Sequence, residues 1–371
     1  MGENASSSAC PWLELLEAVE QTIGHQLAPA VRDAFVRVDR RAFVPRYYVQ
    51  QGRAFVEQEA GAEIYQNRAF LTRLDARGVP NSSSSQPSLM APMLEALDVQ
   101  RGSRVLEIGT GTGYNAALLA ELVGAYGQVV SVDIAADLVE QACARLCAWP
   151  WVKSVVADGL AGYPKDAPYD RIIATGGAPT IPQAWGAQLV EGGILVGSLT
   201  LPLSTATPLY RLQKDAHGTL HGAFLATPAF FMPLYQHASR HTLTDFTFYD
   251  ALPVCEQAWT TLDVPRLIKH PGLALWVSQQ IAGLCMTLRP AGTGSPGLST
   301  CLLLPDRALL MVRPCDDQPQ RFEIEVRGRE PVWSRWLAAY TEWDARGRPA
   351  PEQYRLSLDR AARLTIALQE T

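Results

Sequence analysis

The segment VLEIGTGTGYNAALLA (105–120) narrows the possible folds of this chain more than any other. Gly109, Gly111 and Gly113 follow a short apolar run, Arg104–Ile108, and open a helical pattern, Tyr114–Val123. Glycine at the joint of a strand and a helix permits left-handed backbone angles and lets a ligand approach the main chain. The pattern then continues: strand Gln128–Asp133, helix Ala135–Cys147, strand Val152–Ala157, strand Tyr169–Ala174, helix Ile181–Leu189 and strand Gly193–Leu199. This alternation predicts right-handed βαβ units, and so an α/β fold of Rossmann-like type with a mostly parallel sheet and helices on both faces.

A glycine turn alone also cradles phosphates, so the neighbouring carboxylates decide what it holds. Glu107 lies two residues before Gly109. A dinucleotide pyrophosphate is repelled by that charge, whereas the amino group and sulfonium of S-adenosylmethionine are stabilised by it. Asp133 ends the second strand, where a carboxylate accepts both ribose hydroxyls. Asp158 and Gly159, after the third strand, are placed to meet adenine. We count Thr110, Tyr114, Ile134 and Thr175 with them as cofactor-site candidates. The competing readings are a nicotinamide-dependent dehydrogenase for the fold and solvated loop carboxylates for the acidic residues.

Composition excludes several other classes. The net charge is −5, which disfavours a nucleic-acid surface. No apolar run approaches the ~18–20 residues that span a bilayer. The start, MGENASSSACPW, has neither the basic nor the apolar region of a secretory signal, and a cytoplasmic setting is expected. The seven cysteines are odd in number and lack zinc-finger spacing, so no metal is expected. Cys143 and Cys147, at i and i+4, read as buried structural thiols.

Residues 12–48 read as helices, followed by an irregular stretch that ends in the polar run Asn81–Ser85, and then by a helix over PSLMAPMLEALD. After about residue 200 the alternation stops, and 202–231 reads as strands with a turn at His217-Gly218. Beyond 236 come strand-like runs, a Trp-rich helix (PVWSRWLAAYTEWDARG) and a strand pair near 354–368. We therefore divide the chain into 1–236, a methyltransferase domain with N-terminal helices and a core at 100–236, and 237–371, an added accessory α+β domain.

Five segments taken in order resemble the protein-L-isoaspartate (D-aspartate) O-methyltransferases, a class I methyltransferase family. They are AFVRVDRRAFVPRYY (34–48), SSSSQPSLMAPMLEAL (82–97), VLEIGTGTGYNAALLA (105–120), YDRIIATGGAPTIPQAWGAQLVEGGILVGSL (169–199) and FFMPL (230–234). The resemblance implies methyl transfer from S-adenosylmethionine to a carboxylate in a peptide, leaving S-adenosylhomocysteine. A carboxylate is already ionised at pH 7 and needs no general base, which accords with the lack of a His–Asp or Cys–His pattern. His217 and His221 fall in a hairpin rather than a ligand set. Matched to the family's Thr-Ile-Ser-Gln-Pro, Ser83, Ser84 and Ser85 become the substrate-holding residues, Ser85 foremost; the competing reading is a flexible serine linker.

Two departures from the family stand out. The loop before the serines is rewritten (EQEAGAEIYQNRAFLTRLDARGVPN), and about 135 residues follow the point at which the family's repair enzymes end. The Ser-Ser-Ser-Ser-Gln-Pro-Ser run resembles a variant branch that acts on ribosomally made peptide natural products. That likeness implies a cyclised precursor peptide as partner, with methylation of its aspartate leading to aspartimide and isoaspartate. Repair of damaged proteins and a non-catalytic cofactor-binding scaffold are the alternatives. Trp333, Trp336 and Trp343 are either core or a peptide-gripping surface. Oligomeric state has no sequence signature here.

Overall fold

A computed structural model describes residues 11–203, 207–234, 246–290, 298–315 and 318–369. The N-terminal helices are α1 (Pro11–Ile23), α2 (Pro29–Arg37) and α3 (Arg40–Phe43). The helical stretch predicted up to residue 48 is thus interrupted at Val38, and Asp39 caps α3 by accepting from the Arg41 N–H at 3.0 Å.

The stretch read as irregular is instead a four-stranded sheet. It comprises β1 (Arg46–Gln51), β2 (Ala54–Glu59), β3 (Phe70–Leu74) and β4 (Pro80–Ser84), in the order β2-β1-β3-β4. The serine run is therefore a strand paired antiparallel with β3, with Ser84 opposite Phe70 and Ser83 opposite Leu71, and not a linker. Helix α4 (Pro87–Leu97) follows at once, with Pro87 in its first turn, where a missing N–H is harmless.

From there the chain builds a large sheet. In order come β5 (Arg104–Ile108), α5 (Tyr114–Val123), β6 (Gln128–Asp133), α6 (Ala136–Arg145), β7 (Val152–Val156) and β8 (Tyr169–Ala178). They are followed by α7 (Gln183–Gln188), β9 (Leu189–Leu199), β10 (Thr207–Lys214) and β11 (Leu220–Ala229). Strands β7-β6-β5-β8-β9 are all parallel neighbours; β10 runs against them and β11 turns back. The β10–β11 turn carries His217 as expected, with Asp215 accepting the His217 and Thr219 N–H groups.

Side chains alternate across a strand, and the apolar ones here divide between two cores. Val105, Val129, Ile173, Val196 and Leu209 pack under α1, α2, α4 and α5. Leu106, Val130, Ile172, Leu195 and Tyr210 face the other way, against Trp185 of α7 and the C-terminal segment. Both faces are covered, which is why these strands read as near-continuous apolar runs.

The C-terminal segment contains α8 (Phe246–Asp250), β12 (Val254–Thr260), α9 (Val264–Leu267), α10 (Pro271–Gln280), β13 (Cys285–Pro290), β14 (Leu298–Leu304), β15 (Ala308–Cys315), β16 (Gln318–Gly328) and α11 (Val332–Ala345). Its five strands form an antiparallel sheet in the order β12-β16-β15-β14-β13. Leu302, Leu310, Ile324 and Val326 of that sheet share one continuous core with α10, α11 and the large sheet's second face. The last hairpin, β17 (Tyr354–Leu358) and β18 (Leu364–Leu368), leaves this sheet and pairs with β11. The nine-stranded order is then β18-β17-β11-β10-β9-β8-β5-β6-β7, with only β10 and β17 reversed. The strands of the proposed accessory domain are thus shared between two sheets.

Trp333, Trp336 and Trp343 are core. Trp336 is 1% exposed and stacks on Trp333 at 5.6 Å and on Tyr340 at 5.7 Å between ring centroids. The expected burial of Cys143 and Cys147 is not found; both are exposed on the outer side of α6 and the turn after it, and the six described cysteines are unpaired. No helix among the described residues is long and apolar enough to cross a membrane.

Removing the Trp336 ring leaves a cavity between the two sheets. Trp336→Ala should lower the unfolding free energy by about 3–5 kcal/mol. A denaturant titration checks this, and an unshifted midpoint would place the ring outside the core.

Candidate active site

The glycine turn lies at the carboxyl end of β5 with all three glycines left-handed, at φ +100°, +51° and +86° for Gly109, Gly111 and Gly113. A Cβ on Gly109 would sit 2.7 Å from Thr175 Oγ1, whose hydroxyl donates to the Ile108 and Gly109 carbonyls at 3.1 and 2.9 Å. Thr175 therefore shapes the turn from β8. Gly113 serves packing, since its Cβ would fall 3.2 Å from Ala142 on α6.

Asp133 ends β6. Its Oδ2 accepts the Gly111 N–H and its Oδ1 the Ala135 N–H, each at 3.0 Å. Each oxygen keeps a lone pair for a further donor, and the pair suits a vicinal diol. Asp158, after β7, accepts the Leu160 N–H at 2.9 Å and so fixes the turn that carries Gly159.

Glu107 is placed differently from expectation. It shares the parity of Val105 and faces α5, where it is fully buried. Asn115 donates to its Oε1 at 2.7 Å and the Ser131 hydroxyl to its Oε2, while Thr110 Oγ1 lies 2.7 Å from Ser131 Oγ. The carboxyl thus ties β5, β6, the turn and α5 together from behind the cavity wall, without lining it. Burial pushes its pKa up from 4.5 to about 7, with the nearby Asp133 charge adding to the rise and the two hydrogen bonds opposing it.

A cavity of about 510 Å³ joins these groups to the serine strand. Its walls include Ser82–Ser85, Gly109–Thr112, Tyr114, Asp133–Ala135, Asp158–Leu160 and Thr175. Of the sequence-derived candidates, only Glu107 and Gly113 stand outside that wall. Strand parity separates the serines. Ser82 and Ser84 are buried, with Ser82 Oγ 3.4 Å from Thr72 Oγ1 and Ser84 Oγ receiving Arg40. Ser83 and Ser85 are half-buried, and no described residue bonds their hydroxyls. Of Ser83 and Ser84, both named after Ser85 from sequence, Ser84 is therefore the anchored one. Among the described residues no cluster of His, Cys, Asp or Glu has the form of a metal site.

Sequence reasoning missed three groups. Asn115 and Ser131 hold Glu107, and their apolar surroundings conceal them as ordinary helix and strand residues. Arg73 on β3 grips Asp137 on α6 through two bonds of 2.8 and 3.0 Å, which ties the serine-strand hairpin to the cofactor side. The segment Phe231–Leu234 completes the wall beside β8, its main chain bonded to Gly177 in both directions at 2.8 Å. That last segment was visible as FFMPL, without a role.

Residues 14–239 match the family model described as Protein-L-isoaspartate(D-aspartate) O-methyltransferase. The Protein-L-isoaspartate O-methyltransferase of Ignicoccus hospitalis is 41% identical over 157 residues, covering 41% of this chain and 72% of that protein. The Protein-L-isoaspartate O-methyltransferase 2 of Archaeoglobus fulgidus is 35% identical over 209 residues, 56% and 84% of the respective chains. A solved structure titled as a protein-L-isoaspartate O-methyltransferase aligns with 97% of this chain and 100% of its own, with a TM-score of 0.59 at 24% identity. This last likeness concerns the fold, and it extends through the C-terminal segment.

A carboxyl whose pKa is raised by folding is favoured in its protonated form in the folded state. The stability it contributes is full below 4.5 and is lost as pH climbs through about 7. Glu107→Gln should therefore flatten the decline of stability between pH 5 and 8, by at most about 3 kcal/mol. Urea titrations of both proteins across that range check it; parallel curves would mean that Glu107 is ionised throughout.

Proposed function

Since the chain belongs to the protein-L-isoaspartate (D-aspartate) O-methyltransferase family and is an S-adenosylmethionine-dependent protein carboxyl O-methyltransferase, we propose that it methylates the free carboxylate of isoaspartyl residues in peptides and damaged proteins. The observation that carries this is the single cavity in which the unpartnered Ser83 and Ser85 hydroxyls share a wall with the glycine turn and Asp133.

The residues present fit the cofactor. The left-handed Gly109 and Gly111 leave main chain open to close approach, and Asp133 keeps acceptor capacity for the ribose hydroxyls. Asp158 and Gly159 lie where the adenine would rest, beside Ile134. When bound, S-adenosylmethionine supplies a methyl group on a sulfonium, itself an excellent leaving group. This chain has three tasks: to donate hydroxyls from Ser83 and Ser85 to the acceptor carboxylate, to hold it in line with the sulfonium, and to exclude water. No proton moves, so the acceleration is chiefly proximity and orientation.

The finer reading, a dedicated cyclised precursor peptide, rested on the rewritten serine segment and on the added C-terminal residues. The second support is weakened, because a fold spanning that segment occurs in a protein named as an isoaspartate methyltransferase. The first is weakened because the Ser84 hydroxyl already accepts a bond from Arg40. The curated relatives are named as isoaspartate enzymes, and they favour repair-type specificity.

Three measurements test the proposal. Tritium from labelled S-adenosylmethionine should pass to an isoaspartyl peptide and not to its aspartyl counterpart; label on an aspartate of a cyclised peptide, followed by methanol loss, would instead restore the precursor reading. Asp133→Ala should weaken cofactor binding by about 10–100-fold in calorimetry, the equivalent of losing bonds to a charged acceptor. Ser85→Ala should lower kcat/KM about tenfold with cofactor affinity kept within twofold; loss of both together would make Ser85 a structural residue.

A further inference from the structure

Arg40, the first residue of α3, is 1% exposed, yet it forms no ion pair among the described residues. Its guanidinium instead donates to main-chain carbonyls: Ile64 at 3.2 Å, Gln66 at 3.1 Å, Arg68 at 2.9 Å, Ser85 at 2.9 Å and Ser84 at 3.4 Å. It also reaches Ser84 Oγ at 3.3 Å. The charge lies 4.9 Å from the centre of the Phe70 ring and 5.9 Å from that of Tyr114, the residue that opens α5. The nearest carboxylate in sequence, Asp39, is engaged elsewhere, by the Arg41 N–H and by the Tyr65 hydroxyl at 2.7 Å. Two side chains act on its titration, Tyr114 raising the pKa and Arg68, of the same sign, lowering it. Burial lowers the Arg40 pKa to about 10, so the group stays charged at neutral pH.

A buried cation without an anion is expensive to keep. Here its bonds have a directional effect on the site. By drawing the Ser84 and Ser85 carbonyl oxygens inward, Arg40 removes two partial negative charges from the surface that an anionic acceptor must approach. The Ser83 and Ser85 hydroxyls stay on the cavity wall, with the Arg40 guanidinium bonded to the main chain of the same segment.

We propose that Arg40 is the positioning residue for the methyl-accepting carboxylate: it fixes the Ser84–Ser85 main chain with its carbonyls averted, and its unpaired charge selects an anionic acceptor over a neutral one. This rests on the reading that Ser83 and Ser85 face the acceptor. The carboxylate completes the charge balance that the protein leaves open, and it does so without touching Arg40. Buried charges in a site of low polarity act more strongly than the same charges in water.

The experiment uses the full-length protein with S-adenosylhomocysteine bound, and two peptides that differ only in a free isoaspartyl α-carboxylate or its carboxamide. The wild-type protein should bind the carboxylate peptide at least tenfold more tightly; equal affinities would overturn the proposal without any variant. Arg40→Gln should raise KM for the isoaspartyl peptide at least tenfold and abolish the preference for the carboxylate, with S-adenosylhomocysteine affinity held within twofold. Arg40→Lys, which keeps the charge, should restore most of that preference. If both variants lose cofactor affinity and peptide binding together and lysine restores nothing, Arg40 is only structural. If the wild-type protein fails to methylate the isoaspartyl peptide, the function proposed above fails; if it methylates and Arg40→Gln retains its KM and preference, only the role of Arg40 fails.

Discussion

In a parallel sheet every strand ends on the same edge, and that geometric fact organises the whole site. β5, β6 and β8 run in register, so Ile108 lies beside Val132 and Ala174, and Asp133 beside Val156. The carboxyl ends of these strands and of β7, with the turns that leave them, carry Gly109–Thr112, Asp133, Asp158 and Thr175 within one small volume. None of these residues needs a special conformation of its own beyond the glycines. The sheet brings them together, and the packing on its two faces keeps the edge fixed.

The buried Glu107 shows how the edge is held. Its carboxyl connects a strand to its neighbour and to the following helix through Ser131 and Asn115. A polar group in that position is tolerable because each of its oxygens has a hydrogen-bond partner. Its raised pKa follows from the same burial, so the integrity of the turn is tied to the protonation of a group set behind the cavity wall.

The parallel core was legible because strands covered on both faces must be apolar throughout and are bounded by glycine or acidic turns. The four-stranded sheet was not. In β2 nearly every residue is exposed and in β1 only Tyr47 is buried, so no alternation marks them as strands. The serine strand read as loop for the same reason, its alternation being serine against serine. The chemistry of Glu107 was visible, but its direction was misjudged; the shared parity with Val105 contained the answer. Arg40 went unnoticed because its partners are carbonyls, which every sequence contains everywhere. The pairing of β17 with β11 was beyond reach as well, since nothing local to either strand names the other.

That pairing has a consequence for how the molecule is made. Leu220 meets Leu358, so one edge of the large sheet stays open while the intervening chain is synthesised. During that interval β11 presents unsatisfied N–H and C=O groups to whatever else is near the ribosome, the hazard common to any bare sheet edge. Closing a contact of such long sequence separation is also slow once the chain is complete. Covering that edge therefore waits on residues about 135 positions further along the chain, and the same residues also complete the core on the large sheet's second face.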